Sequence, residues 1–413
     1  MFEFSDEQKM AQRMLRQWCE KELAPNVAAM EKGEILPYTL ARKLWATFGA
    51  DEMARASFKR LEARLLASDV VGNTRDDDDE GGGGMLGRDP ALSMILAIEV
   101  CRVCPGFMLS LGASVGLAGS AIMKKGTLAQ QRRWGVPLMS MEKIGAWGMT
   151  EANAGSDAFG GMRTVARRDG DDFLISGSKT FITNAPFADT FVIYAKIVES
   201  AADDPRTRPF HAFIVERGTP GLATGKPMDK MGMHSSPTGE IFLDEVRVPR
   251  SQLLGEREKE PSREGARDVF QGERTGMTPM CLGIVERCLE DSVRYAKQRT
   301  AWGRPIAEYQ LMQEKLATMY VHRENIRNLL FKQLILAKEG KRMNRAEASA
   351  CKLYCTRATT EVAMEAVQLM GGNGYMREYH VEMLARDAKL LQIGGGTDEI
   401  QIVTIARDLL AGE

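Results

Sequence analysis

Residues 173–185 read FLISGSKTFITNA, a run in which apolar and β-branched side chains alternate with small polar ones. A period of two places successive side chains on opposite faces of a strand, the pattern of a half-buried sheet. Three further runs follow the same chemistry: TFVIYAKIV (190–198), HAFIVE (211–216) and EIFLDEVRVP (240–249). Gly, Asp and Pro separate them, so the stretch from 142 to 250 predicts a β-domain with turns every ~10–15 residues. DGDDF (169–173) and GSKT (177–180) read as hairpin ends.

Helical patterning flanks this stretch on both sides. Ser5 precedes Asp6-Glu7-Gln8 as an N-cap with an acidic first turn, and apolar positions then recur at three and four. Beyond the charged linker EREKEPSREG (256–265), helix patterning runs nearly to the last residue. The expected organisation is a helical domain over 1–140, a β-domain over 141–255 and a helical bundle over 256–413. That is an α+β fold, mostly α, and its order excludes a doubly wound sheet, which alternates strands with helices. The glycine clusters GGNG (371–374) and GGGT (394–397) follow helices rather than strands. A phosphate there would meet backbone N–H groups at helix starts. The acid–glycine run DDDDEGGGG (76–84) reads as a solvated loop without metal-ligand geometry.

Composition narrows the function. The chain has 413 residues, enough for two or three domains, and 55 Lys+Arg against 56 Asp+Glu give a net charge of -1. Such a balance supplies no broad positive field for nucleic acid or anionic lipid. Seven cysteines at irregular spacing, with Cys101 and Cys104 inside the apolar run MILAIEVCRVCPGF (94–107), read as small buried thiols. Four histidines, none spaced as a ligand pair, give no metal site. Residues 105–123 carry no charge over nearly a bilayer's length, but four glycines and three serines dilute them, so a buried helix is expected rather than a membrane span. With charged residues from Glu3 onward and no signal-peptide pattern, the expected location is cytoplasmic.

Five segments together resemble the acyl-CoA dehydrogenase family: GAWGMTEANAGSDAFG (145–160), KTFITNA (179–185), MHSSPTGEIFLDEVRVP (233–249), QRTAWGRPIAEYQ (298–310) and the long run QLMGGNGYMREYHVEMLARDAKLLQIGGGTDEIQ (368–401). They fall in all three expected domains, in the family's order. The resemblance implies an N-terminal helical domain, a β-barrel-like middle domain and a C-terminal four-helix bundle. It implies FAD as cofactor, an acyl-CoA substrate, an electron-transfer flavoprotein as electron acceptor, and a homotetramer.

The family's roles carry over residue by residue. Met149, Thr150, Phe181 and Thr183 would line the isoalloxazine, with Phe181 where relatives often carry Trp. Arg299, Trp302, Gln368, Gly371 and Gly372 would meet the pyrophosphate and adenosine of a neighbouring subunit's cofactor. Thr397 and Glu399 would touch the cofactor of their own site, and Ser156 would lie by the cofactor and the pantetheine arm.

One departure is informative. Many relatives carry Tyr-Glu-Gly-Thr in the last motif, the Glu being the catalytic base, whereas this chain has Gly394-Gly395-Gly396-Thr397. Isovaleryl-CoA and long-chain acyl-CoA dehydrogenases place the base instead on the first long helix of the C-terminal domain, before an Arg. The run FQGERTGMTPMCLG (270–283) puts Glu273 and Arg274 there. Glu273 would remove the α-proton of the thioester while flavin N5 accepts hydride from the β-carbon. The Gly395 N–H would bind the thioester carbonyl, Gly394 would leave room beside the acyl carbons, and Arg274 would fix the helix near the substrate. Other functions of the same fold remain open at this level: action on an acyl-carrier-protein thioester, or a flavoprotein or partner subunit without dehydrogenation. A nucleic-acid-binding relative would need a basic surface, which the charge balance disfavours.

Overall fold

The computed structural model describes residues 3–71, 89–198, 204–258 and 263–412; the side chains of 66–71 and 263–273 lie outside that description. The acid–glycine run and the Glu273 carboxylate therefore fall outside the described residues.

Helices build the chain before the sheet. Asp6–Trp18 starts with a reciprocal cap: the Gln8 amide donates to Ser5 Oγ at 3.2 Å while the Gln8 side chain accepts from the Ser5 N–H at 2.9 Å. Pro90–Cys101 and Pro105–Leu111 each begin with a proline in the first turn, where its missing N–H costs nothing. The uncharged stretch continues as a π-helix, Gly112–Gly119, and a last α-turn, Ser120–Lys125. The expectation of a buried helix holds, and its partner includes the sheet: a Cβ on Gly145 would come within 2.8 Å of Ala118 Cβ.

The sheet has seven strands: β1 Gly145–Gly148, β2 Val165–Asp169, β3 Asp172–Thr183, β4 Thr190–Val198, β5 Phe210–Glu216, β6 Leu222–Thr224 and β7 Thr238–Val248. Its order is β1-β4-β2-β3-β7-β6, with β5 also paired to β4. β1 and β2 share one edge of β4, pairing parallel to its beginning and its end. β4 is central in the sheet and is also buried on both faces, which accords with its nearly continuous apolar sequence. DGDDF does form the β2–β3 turn, with Gly170 at φ 65.

GSKT does not end a hairpin; it lies within β3. Gly177 is required for close approach rather than for a turn: a Cβ there would lie 2.7 Å from Thr164 Cα, and its φ of 147 suits glycine. The register of β3 against β7 slips at this glycine and again between Lys179 and Ile182.

Beyond the sheet, Arg263–Gln298, Gln310–Lys338, Arg345–Met370, Val381–Leu391 and Asp398–Ala411 form the second helical region. All seven cysteines are buried and unbridged. Burial pushes the Cys104 thiol up to about 12 and Cys101 well above its ordinary value, so both behave as small apolar groups.

The three regions are joined by buried polar contacts. Asn184, fully buried, donates to the carbonyls of Ser110 (2.9 Å) and Gly145 (3.1 Å) and accepts from Tyr38 Oη (3.1 Å) and Ser110 Oγ (2.7 Å). A second junction packs residues 230–236 against Glu31 and the Val381–Leu391 helix. There the Met233 N–H donates to Asp387, Ser235 Oγ donates to Glu31 at 3.0 Å, and Arg386 reaches both Glu31 and Glu382.

Burial, with the nearby Glu31 carboxylate, raises the Asp387 pKa to about 7. An unfolded Asp ionises near ~4. Between these values the folded chain keeps a proton that the unfolded chain has lost, so stability falls as pH rises from about 4 to about 7 and this contribution is constant above. Asp387→Asn, which keeps an acceptor for Met233, should gain melting temperature relative to the parent between pH 5 and pH 8; a pH-independent offset would contradict the assignment. Gly177→Ala should lose about 1–3 kcal/mol in urea unfolding, since neither its φ nor Thr164 leaves space for a methyl group.

Candidate active site

The end of β1 and the end of β3 meet. The Thr180 N–H donates to the Thr150 carbonyl at 3.0 Å, so the Met149-Thr150 step lies beside residues 180–183. Strict alternation from Phe173 and Ile175 would point Phe181 inward. The slip after Lys179 and a φ of 58 at Phe181 turn it out instead, leaving it 66% exposed. Met149 is buried beneath, Thr150 and Thr183 are half-buried, and Ser156 is exposed on the following loop. An outward aromatic ring with two half-buried threonines on the same strand ends fits a planar heteroaromatic group with polar edges, as the isoalloxazine is.

Beneath this surface lies a buried ion pair. Lys179 Nζ donates to Glu151 Oε1 at 2.8 Å and to the Met149 carbonyl at 3.2 Å. The Glu151 carboxylate also accepts from the Arg163 N–H (2.6 Å), the Thr164 N–H (3.0 Å) and Thr164 Oγ1 (2.6 Å). Burial lowers the Lys179 ammonium to about 8, with Glu151 opposing the shift. Burial would raise Glu151, but Lys179 and the surrounding donors bring it below its ordinary value. The geometry, ammonium to carboxylate at 2.8 Å with both side chains buried, is that of an ion pair.

The triple-glycine loop is fixed by a comparable device. Gly395 and Gly396 take φ values of 61 and 87, which glycine adopts without strain. The fully buried Lys352 donates to the Gly396 carbonyl at 2.9 Å, and Gln401 Nε2 donates to the carbonyls of Gly396 (2.8 Å) and Gly395 (3.2 Å). Thr397 then caps Asp398–Ala411, its hydroxyl accepting the Ile400 N–H, with Glu399 exposed in the first turn.

Arg263–Gln298 passes beside this loop. Arg274 donates to Ser349 Oγ at 3.3 Å, one turn of the neighbouring helix before Lys352. One turn along from Arg274, Met277 approaches the loop: a Cβ on Gly394 would sit 3.7 Å from Met277 Cε. The turn that follows Glu273 and the triple-glycine loop thus line one place.

Arg299 and Trp302 lie at the other end of the same helix. From Met277 to Arg299 the chain rises about 30 Å. Trp302, 91% exposed, tips the hairpin formed by Thr300–Ala301 and Arg304–Pro305, with φ values of 47 at Trp302 and 83 at Gly303. The GGNG turn comes to the same end: Asn373 Nδ2 donates to Tyr295 Oη at 3.1 Å. Exposed Gln368 accepts the Gly371 N–H, and no atom lies within 4 Å of a Cβ built on Gly371 or Gly372, so backbone there is bare for close approach by a phosphate. The predicted residues therefore divide into two distant groups, the second set on an open surface. Among the described residues no cluster of His, Cys, Asp and Glu could hold a metal ion.

Lys179, Glu151, Asn184, Lys352 and Gln401 were not singled out by sequence reasoning. Lys179 left a signal, since it falls on the inward face of β3 by the alternation of Phe173 and Ile175. Lys352 and Gln401 left none within amphipathic helices.

Comparison with known proteins follows the same geography. Three family models match in succession: acyl-CoA dehydrogenase N-terminal domain over 72–142, middle domain over 146–246 and C-terminal domain over 264–410. A short-chain-specific acyl-CoA dehydrogenase of Megasphaera elsdenii is 39% identical over 320 residues, 77% of this chain and 82% of that protein. The mitochondrial isovaleryl-CoA dehydrogenase of Oryza sativa subsp. japonica is 32% identical over 413 residues, 99% of this chain and 93% of that protein. The structure of butyryl-CoA dehydrogenase from Megasphaera elsdenii superposes with a TM-score of 0.82 at 33% identity, covering 99% of this chain and 100% of that one. Matched through the sheet, the glycine loop and the long helix that carries Glu273, the chain belongs to the FAD-using acyl-CoA dehydrogenase family, an oxidoreductase family.

Proposed function

We propose that the chain catalyses α,β-dehydrogenation of an acyl-CoA thioester with Glu273 as the base. The observation that carries this reading is the approach of the 274–277 turn to the triple-glycine loop through Met277 and Gly394. The loop has no carboxylate at Gly395, and the carboxylate nearest in sequence to the 274–277 turn is Glu273. When bound, FAD supplies the hydride acceptor. This chain's part is to hold the acyl group and move a proton: the Gly395 N–H polarises the thioester carbonyl, and Glu273 takes the α-proton. A preorganised donor at such a carbonyl contributes about 3 kcal/mol to the enolate-like transition state.

The acyl chain is proposed to be short or branched. A side chain of one carbon at Gly394 would make ordinary contacts, 3.6 Å to the Leu390 carbonyl and 3.7 Å to Met277, so the glycine leaves a methyl-sized space. The names of the short-chain-specific and isovaleryl-CoA relatives agree with that. Electron-transfer flavoprotein is proposed as the electron acceptor, and a homotetramer as the assembly. The Arg299–Trp302 hairpin and GGNG turn, about 30 Å from the glycine loop, would then serve a neighbouring subunit's cofactor.

Glu273→Gln should retain FAD and lose turnover ~10²–10⁴-fold, the range expected for removing a general base. Steady-state oxidation of butyryl-CoA and isovaleryl-CoA, with flavin content measured on the same sample, checks this. Turnover close to that of the parent with FAD bound would place the base elsewhere.

A further inference from the structure

The outward turn of Phe181 is an unfavourable backbone state held from both sides. A non-glycine residue at positive φ persists where its surroundings over-determine it. On one side Asn184, itself at φ 67, is fixed by four side-chain hydrogen bonds and by its own N–H to the Pro237 carbonyl at 2.7 Å. On the other side stands Lys179, with no exposed side-chain surface. Phe181 lies two positions after Lys179 and three before Asn184, within the stretch where the strand register slips.

A buried ion pair is a poor choice if stability is all that is required, because apolar side chains of similar volume usually serve as well. What an apolar pair cannot do is direct hydrogen bonds. Lys179 sends one to Glu151 and one to the Met149 carbonyl, while Glu151 gathers the Arg163 and Thr164 amides. The ammonium thereby couples β3 to the Met149-Thr150 step, the two segments that face the place read as the isoalloxazine site.

We propose that Lys179 and Glu151 are positioning residues: their buried pair locks the β1 end to β3 so that Thr150, Phe181 and Thr183 present one preformed wall to the flavin. The proposal rests on the reading of Phe181 and Thr183 as that wall. Lys179 and Glu151 are both buried, and they act through the backbone of Met149 and through the strand that turns Phe181 outward.

The test uses purified holoenzyme and separates positioning from folding. Lys179→Met alone leaves a buried carboxylate unpaired and should lose both fold stability and FAD. Lys179→Met/Glu151→Gln removes both charges and keeps one acceptor oxygen, which can serve the Thr164 groups at Oε1 while the Arg163 amide at Oε2 loses its partner. Its far-ultraviolet circular dichroism should match the parent, while its FAD dissociation constant rises at least ~10-fold, a loss on the scale of one directed hydrogen bond. The fine structure of the bound flavin's visible absorption should also blur. Parent-like FAD affinity and band shape in the folded double variant would overturn the proposal. Glu151→Gln alone is the second variant: it removes the anion that aims the ammonium, and weaker FAD binding in a folded protein is expected, whereas parent values would again overturn the idea. Phe181→Ala tests the underlying reading. If Phe181→Ala leaves flavin affinity and spectrum unchanged, the wall itself is misassigned, whatever the Lys179 variants do.

Discussion

Asn184 is the side chain on which the relation between the first helical region and the sheet depends. Its amide spends all its hydrogen-bonding capacity on Tyr38, Ser110 and Gly145, which belong to two helices and the first strand. Each of those groups is buried, so losing the amide would leave several polar atoms without partners, at about 1–3 kcal/mol for each. No apolar residue could replace it. Its position one residue after β3 also fixes where that strand ends, and with it the orientation of Thr183.

The same principle recurs at the active site, where buried cations hold backbone rather than substrate. Lys179 donates to the Met149 carbonyl under the surface proposed to face the flavin, and Lys352 donates to the Gly396 carbonyl in the loop proposed to face the thioester. Each lysine has a carboxylate nearby, Glu151 at 2.8 Å and Asp398 at 3.7 Å. Carbonyl groups drawn inward in this way set the orientation of the adjoining peptides. Under the proposed function such directed hydrogen bonds would hold loops and strand ends in place before the ligands arrive.

Much of this was legible in the sequence, and the limits have physical causes. The run TFVIYAKIV announced a strand, though not its burial on both faces, and the capping pattern at Ser5 announced a helix start. The GSKT segment was misread as a hairpin end because glycine marks both turns and close backbone approach, and only the position of Thr164 against Gly177 distinguishes them. Phe181 shows the reverse difficulty. Its residue type and alternation argue for the core, while a register slip that no local pattern encodes turns it to the surface. The gathering of Arg274, Ser349, Lys352, Met277 and Gly394 depends on how three helices pack. Sequence reached the pairing of Glu273 with the empty carboxylate position through the family's pattern, not through periodicity.

The turn bearing Glu273 and the triple-glycine loop are proposed to enclose the reacting end of the thioester. A crystal structure of the FAD-loaded enzyme with a non-oxidisable acyl-CoA thioester analogue tests it most directly. The expected result is the Glu273 carboxylate about 3 Å from the α-carbon's proton-bearing face and the thioester carbonyl on the Gly395 N–H. An acyl chain seated away from Gly394–Gly396, or another carboxylate at the α-carbon, would contradict it.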